Sequence, residues 1–246
     1  MNRQRSVRAL HVARKYTAFA RGNLRQRGWI RVLNSVISEV VFDFRHGLWA
    51  ALPRETDVDG IPPERAGDAV QYQGVDPRIA GEALGRLPAT ALEATFVDYG
   101  CGKGRGLALG AVAGFRRLIG IEISPVLAAI CDRNLRRTRH RHSGIIADVR
   151  VADAVEFRPP AGPLVAFLYN PFLGETLERV VARLRQHSEY HPVWVVYINP
   201  MGLSRFMDGG FTVSSASREG GHLVGVNLVP LERNRGQVEN GDSLRL

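Results

Sequence analysis

The chain has 246 residues, 45% hydrophobic and 23% charged, enough apolar length for one α/β domain with an appendage and too ordinary a mixture for a disordered or fibrous protein. Two cysteines without metal-ligand spacing, and no apolar run of about 18 residues, exclude a disulfide scaffold, a bound metal and a membrane-spanning helix, so a soluble, cytoplasmic protein is expected. The formal charge of +9 lies wholly in residues 1–38, where Arg3, Arg5, Arg8, Arg14, Lys15, Arg21, Arg25, Arg27 and Arg31 meet no acidic residue.

Residues 1–50 read as a basic, helical N-terminal arm that turns apolar over Trp29–Phe42, where Val32, Val36, Ser38/Glu39 and Val40 lie only roughly at helical spacing. The arm fits a phosphate backbone, an anionic lipid surface, an acidic protein or plain solvation. A polyanion or anionic surface would be contacted through residues 3–31, without the regular aromatics that stacking on single-stranded bases requires. Residues 51–78 hold Pro53, Pro62, Pro63 and Pro77 with Gly60, Gly67 and Gly74, which predicts a connecting loop.

From residue 79 to 232, short β-branched runs alternate with helix-like segments, the pattern of βαβ units on a parallel sheet. Strands are predicted at Thr95–Tyr99, Leu118–Glu122, Ile146–Val151, Leu164–Tyr169 and Val193–Ile198, with helices at about 79–87, 103–113, 125–139 and 174–187. Ser124 and Pro125 supply an N-cap and a first helical residue for the third helix. Phe211–Ser217 and His222–Val229 flank Arg-Glu-Gly-Gly and read as a hairpin, and residues 233–246 as a flexible tail. The fold class predicted is a three-layer α/β sandwich whose mostly parallel seven-stranded sheet ends in an antiparallel hairpin.

Asp98-Tyr-Gly-Cys-Gly-Lys-Gly104 follows an apolar strand and opens a helix, so its glycines lie where backbone must approach a ligand closely. The dinucleotide fingerprint G-x-G-x-x-G fails in both frames, because Arg105 or Leu107 stands where the third glycine belongs. A phosphate-binding P-loop fails as well, since no Gly-Lys-Ser/Thr follows. The turn resembles the D-x-G-x-G-x-G segment of the class I, Rossmann-like S-adenosylmethionine-dependent methyltransferases, and the likeness covers about residues 72–230.

That resemblance implies S-adenosyl-L-methionine as cofactor. Asp98 would face its amino-acid end, with Gly100, Gly102 and Gly104 letting that end pack on the turn. Glu122, with Ile123 beside it, would take the ribose hydroxyls, and Asp153, with Ala154, the adenine amino group. A carboxylate suits the α-ammonium of this cofactor, and N–H groups at a helix N-terminus suit its carboxylate. Lys103 either assists that carboxylate or points into solvent. Tyr72 stands where related protein methyltransferases carry a segment folded over the cofactor.

The fourth strand runs into Asn170-Pro171-Phe172, which resembles the Asn/Asp-Pro-Pro-aromatic motif of amino-group methyltransferases, with one proline fewer. The motif implies that Asn170 and the carbonyl after it accept hydrogen bonds from the target nitrogen, that Phe172 packs on the target, and that Asn170 also borders the cofactor. The alternative is a plain strand-ending turn, and Asn199-Pro200 ends the fifth strand the same way. The function expected is methyl transfer to a nitrogen of a protein side chain or other amine; the alternatives are a small-molecule acceptor and a non-catalytic cofactor-binding scaffold.

Overall fold

The computed structural model describes residues 29–48, 50, 74–219 and 221–231. Residues 1–28 of the basic arm, Tyr72 with nearly all of the Pro/Gly-rich segment, and the C-terminal tail lie outside the described residues.

In chain order the elements are α1 (Trp29–His46), α2 (Pro77–Gly85), β1 (Thr95–Tyr99), α3 (Arg105–Ala113), β2 (Arg117–Glu122), α4 (Pro125–Arg141), β3 (Ile146–Val151), β4 (Leu164–Tyr169), α5 (Gly174–His187), β5 (Val193–Ile198), α6 (Leu203–Asp208), β6 (Phe211–Glu219) and β7 (His222–Pro230). The strands form one sheet in the order β3-β2-β1-β4-β5-β7-β6. The first five are parallel, and β7 runs antiparallel to both β5 and β6. This is the predicted fold class, strand for strand.

Successive strand residues point to opposite faces, so the almost wholly buried runs of β1, β4 and β5 supply two cores. Phe96, Leu118, Val165, Phe167 and Val196 pack under α2, α3 and α4, while Val97, Ile121, Ala166, Leu168 and Val195 pack under α5 and α6. Helices on both faces leave no open side to the central strands. The order reverses between β1 and β4, and at such a switch point the connections diverge to opposite faces, opening a crevice at the carboxyl ends of the strands.

Local chemistry accounts for most boundaries. Ser124 Oγ accepts from the Leu127 amide at 3.4 Å ahead of Pro125, as expected for α4. Two boundaries differ from expectation. Pro77 opens α2 instead of ending the loop, because Asp76 caps the helix by accepting from the Arg78 amide at 2.9 Å and proline lacks the N–H that the first turn leaves unpaired. Helix α3 starts at Arg105 instead of 103, because Gly104 sits at φ +89°, outside helical backbone. The short α6 and a 3-10 turn at Ala89–Glu93 span too few residues to show a period.

Helix α1 joins the domain through charge. Arg105, 2% exposed, donates from Nε and Nη2 to the two oxygens of Asp43 at 2.9 and 3.0 Å, and from Nη1 to Glu39 at 2.8 Å and the Val75 carbonyl at 3.2 Å. Asp43 also accepts from the Ala50 amide at 3.0 Å. Burial raises the pKa of Glu39, and the guanidinium beside it works against that rise. Such a pair contributes little net stability while intact and costs much when half of it is removed. Arg105→Ala should lower the unfolding free energy by about 3–5 kcal/mol in urea titration, and a loss below about 1 kcal/mol would show that α1 is not held by this contact.

Candidate active site

Three strand ends meet beside the reversal. β1 leaves the sheet through Gly100, Gly102 and Gly104, at φ +74°, +53° and +89°, a left-handed backbone that residues with a Cβ rarely adopt. At Gly100 a Cβ would also lie 2.3 Å from Cβ of Pro171, so the exit of β1 presses directly on the exit of β4. A side chain at Gly104 would meet Cys131 Sγ at 2.7 Å. The glycines therefore serve packing between elements as well as any approach to a ligand.

Glu122, at the end of β2, is buried and bridges two turns. Its Oε2 accepts from the Gly102 amide and its Oε1 from the Ser124 amide, both at 2.9 Å. Burial raises its pKa, and the N–H groups of Ser124, Gly102 and Ile123 oppose that rise. Asp98, 3% exposed, points across the first turn of α3: its Oδ2 lies 2.3 Å from where a Cβ on Gly106 would be, and its carboxylate accepts from the Leu107 amide. Desolvation, and then the charge of Glu122, push its pKa to about 8.

The remaining residues follow. Asp153 lies just past β3, where its Oδ1 accepts from the Val155 amide at 2.9 Å, and the adjoining Ala152 amide donates to the Glu122 carbonyl at 3.0 Å. Ala154 is buried and Ile123 half-buried. Asn170, buried at φ +44°, carries the chain out of β4, with Phe172 buried behind it. Its Oδ1 accepts from the Tyr197 hydroxyl at 3.3 Å, and its Nδ2 faces Met201 Sδ at 2.9 Å. Asn199 has the same left-handed backbone at φ +49° but is only half-buried. Two strand exits thus share one turn, and Asn170 is the one with its amide clamped.

Lys103 is fully buried, so the solvent-facing alternative for it is excluded. Its carbonyl accepts from Asn134 Nδ2 at 2.8 Å, tying the glycine turn to α4. Tyr197 went unrecognised in the sequence. The available signal was a phenol inside the apolar run Val193–Ile198, because a buried hydroxyl needs a partner. Among the described residues no group of three or more His, Cys, Asp or Glu side chains could hold a metal ion.

The donor set fits a cationic, hydroxyl-bearing ligand. Two buried carboxylates converge with backbone amides as their hydrogen-bond donors, and the three amides on Glu122 leave one of its lone pairs for a ligand hydroxyl. A cation near Asp98 would oppose both the desolvation and the repulsion from Glu122 that raise its pKa.

The protonation of Asp98 has a measurable sign. Its folded pKa lies above the ordinary 3.8, so between about pH 4 and 8 the folded chain keeps a proton that the unfolded chain releases, and stability falls as pH rises through that window. The decline is at most about 1.4 kcal/mol per pH unit. Asp98→Asn lacks it, so the stability of the wild type minus that of the variant should fall from pH 5 to pH 8 in chemical denaturation; a flat difference would mean that Asp98 stays ionised throughout.

No model of a known protein family matches the sequence. No curated protein matches it either. Solved structures do match. A putative RNA methyltransferase from Pyrococcus horikoshii is 14% identical, covering 80% of this chain and 98% of its own, with a TM-score of 0.51. A ribosomal protein L11 methylase from Lactobacillus delbrueckii subsp. bulgaricus is 15% identical over 68% of this chain and 83% of its own, with a TM-score of 0.48. Magnesium protoporphyrin IX methyltransferase from Synechocystis, solved with bound S-adenosylmethionine, is 13% identical over 63% and 79%, with a TM-score of 0.44. At such identities the likeness is one of fold, and the fold of this chain is that of the class I, Rossmann-like S-adenosylmethionine-dependent methyltransferases.

Proposed function

We propose that the protein is an S-adenosylmethionine-dependent methyltransferase acting on a nitrogen acceptor, a protein side chain or other amine. The observation that carries the acceptor reading is Asn170, whose amide is clamped by Tyr197 at the carboxyl end of β4 while the next residue, Pro171, abuts the glycine turn. In this reading Asp98 holds the cofactor's α-ammonium, Glu122 with Ile123 the ribose hydroxyls, and Asp153 with Ala154 the adenine edge. Gly100, Gly102 and Gly104 keep the turn free of side chains. When bound, the cofactor supplies an electrophilic methyl on a sulfonium.

The chain's own task is positioning. With Oδ1 of Asn170 held by the Tyr197 hydroxyl, a second lone pair remains to accept from an acceptor N–H and to aim the nitrogen for in-line displacement. Phe172 would bound the acceptor space, and Tyr72 would cover the cofactor. Two free, buried cysteines, Cys101 and Cys131, with sulfurs 3.6 Å apart, support a reducing, cytoplasmic setting. No described helix is long and apolar enough to cross a membrane.

Labelled-methyl transfer from S-adenosylmethionine to size-fractionated cell extract tests the acceptor class. Label is expected in protein or another amine, and Asn170→Ala should lower the rate by roughly a hundredfold with cofactor affinity nearly kept. Label on oxygen or carbon of a small molecule, at a rate indifferent to Asn170→Ala, would refute the nitrogen reading; cofactor binding without transfer to any fraction would leave a scaffold.

A further inference from the structure

Helix α1 carries an apolar face turned away from the domain. At about 100° per residue, Leu33, Val36, Ile37, Val40, Val41 and Phe44 fall within an arc of about 140°. All six are exposed, Phe44 to 88%. The acids of the same helix, Asp43 and Glu39, border one edge of this arc, about 20° and 60° beyond Val36, and are engaged by Arg105, while Phe42, on the opposite side, packs into the domain. The outward face is therefore apolar and carries no acid within its arc. Six exposed apolar side chains on one helix exceed the single ones that a soluble surface ordinarily carries.

The sequence that precedes this helix and the structure at its C-terminal end are basic. Upstream in sequence stand the nine cations between Arg3 and Arg31, with no acid among them. Downstream, Arg45 is exposed, and the end of α4 joins the end of α1 where Arg141 donates to the His46 carbonyl at 2.9 Å and the rings of His46 and His142 stack at 6.1 Å. That junction adds exposed Arg137, Arg139 and Arg141.

We infer that α1 lies in the surface of a membrane rich in anionic lipid, its apolar face among the acyl chains and the flanking arginines on the headgroups. Charge complementarity selects this occupant. A second copy packed on the same face would bring two arginine-rich arms and two arginine-rich α4 ends together with no acids to offset them. Nucleic acid would meet the arginines but leave five aliphatic side chains and one ring without a role, since bases stack on aromatic planes. An amphipathic helix with cationic flanks satisfies both features at once. The inference is independent of the methyl acceptor: it concerns where the enzyme works, and the Arg105 clamp to Glu39 and Asp43 would hold the glycine turn close to that surface.

Sedimentation of the full chain with phosphatidylcholine vesicles, with and without about 30% phosphatidylglycerol, tests it. Partitioning should be at least roughly tenfold stronger on the anionic vesicles, fall with added salt, and drop roughly tenfold again for Val40→Asp with Phe44→Asp. The milder Phe44→Ser should weaken partitioning in the same direction, with unchanged circular dichroism and urea midpoint. Failure of the wild type to bind anionic vesicles would overturn the inference, and so would binding indifferent to these substitutions, which would leave the arm's charge alone. A dimer that the substitutions dissociate would overturn it in favour of a second copy.

Discussion

The carboxylate of Glu122 joins the two turns on which the candidate site is built. One oxygen takes the Gly102 amide from the exit of β1, the other the Ser124 amide at the start of α4, so a single buried group fixes the glycine turn against the end of β2. Its backbone donors hold charge where burial alone would expel it. Burial first, and the neighbouring Glu122 second, raise the pKa of Asp98, the second carboxylate of the site. A cofactor offering hydroxyls to one and an ammonium to the other would replace internal repulsion with complementary contacts, which gives binding energy a physical source beyond shape.

Around this pair the fold supplies rigidity. A Cβ at Gly100 would lie 2.3 Å from Pro171 Cβ, one at Gly104 2.7 Å from Cys131 Sγ, and one at Gly120 2.8 Å from Cys101 Sγ and Leu107 Cδ1. Substitutions at these positions disturb contacts among β1, β2, β4, α3 and α4 before they disturb any ligand. The loss of function they cause therefore says little about direct contact.

The sheet was legible in sequence because its central strands β1, β4 and β5 are apolar runs bounded by turn residues, and the hairpin because Arg-Glu-Gly-Gly leaves no length for a crossover helix. The glycine spacing, Glu122 and Asp153 each sit at the end of a strand, so topology alone gathers them at one edge. What could not be read were contacts between residues distant in the chain. Arg105 with Asp43 is separated by 62 positions, Tyr197 with Asn170 by 27, and neither pair has a local signature. The burial of Lys103 belongs to the same class. Pro77 was misjudged for a different reason, since proline breaks a helix interior but favours its first turn, and Asp76 was the residue that decided between them.

The central claim is the identity of the cofactor, and calorimetric titration of the purified chain with S-adenosylmethionine tests it most directly. Saturable one-to-one binding to the wild type is expected, weakened by roughly a hundredfold in Glu122→Ala, where the backbone amides and the ribose hydroxyls lose their acceptor. Absence of saturable binding to a folded wild-type chain, with Asp98 and Glu122 intact, would contradict it.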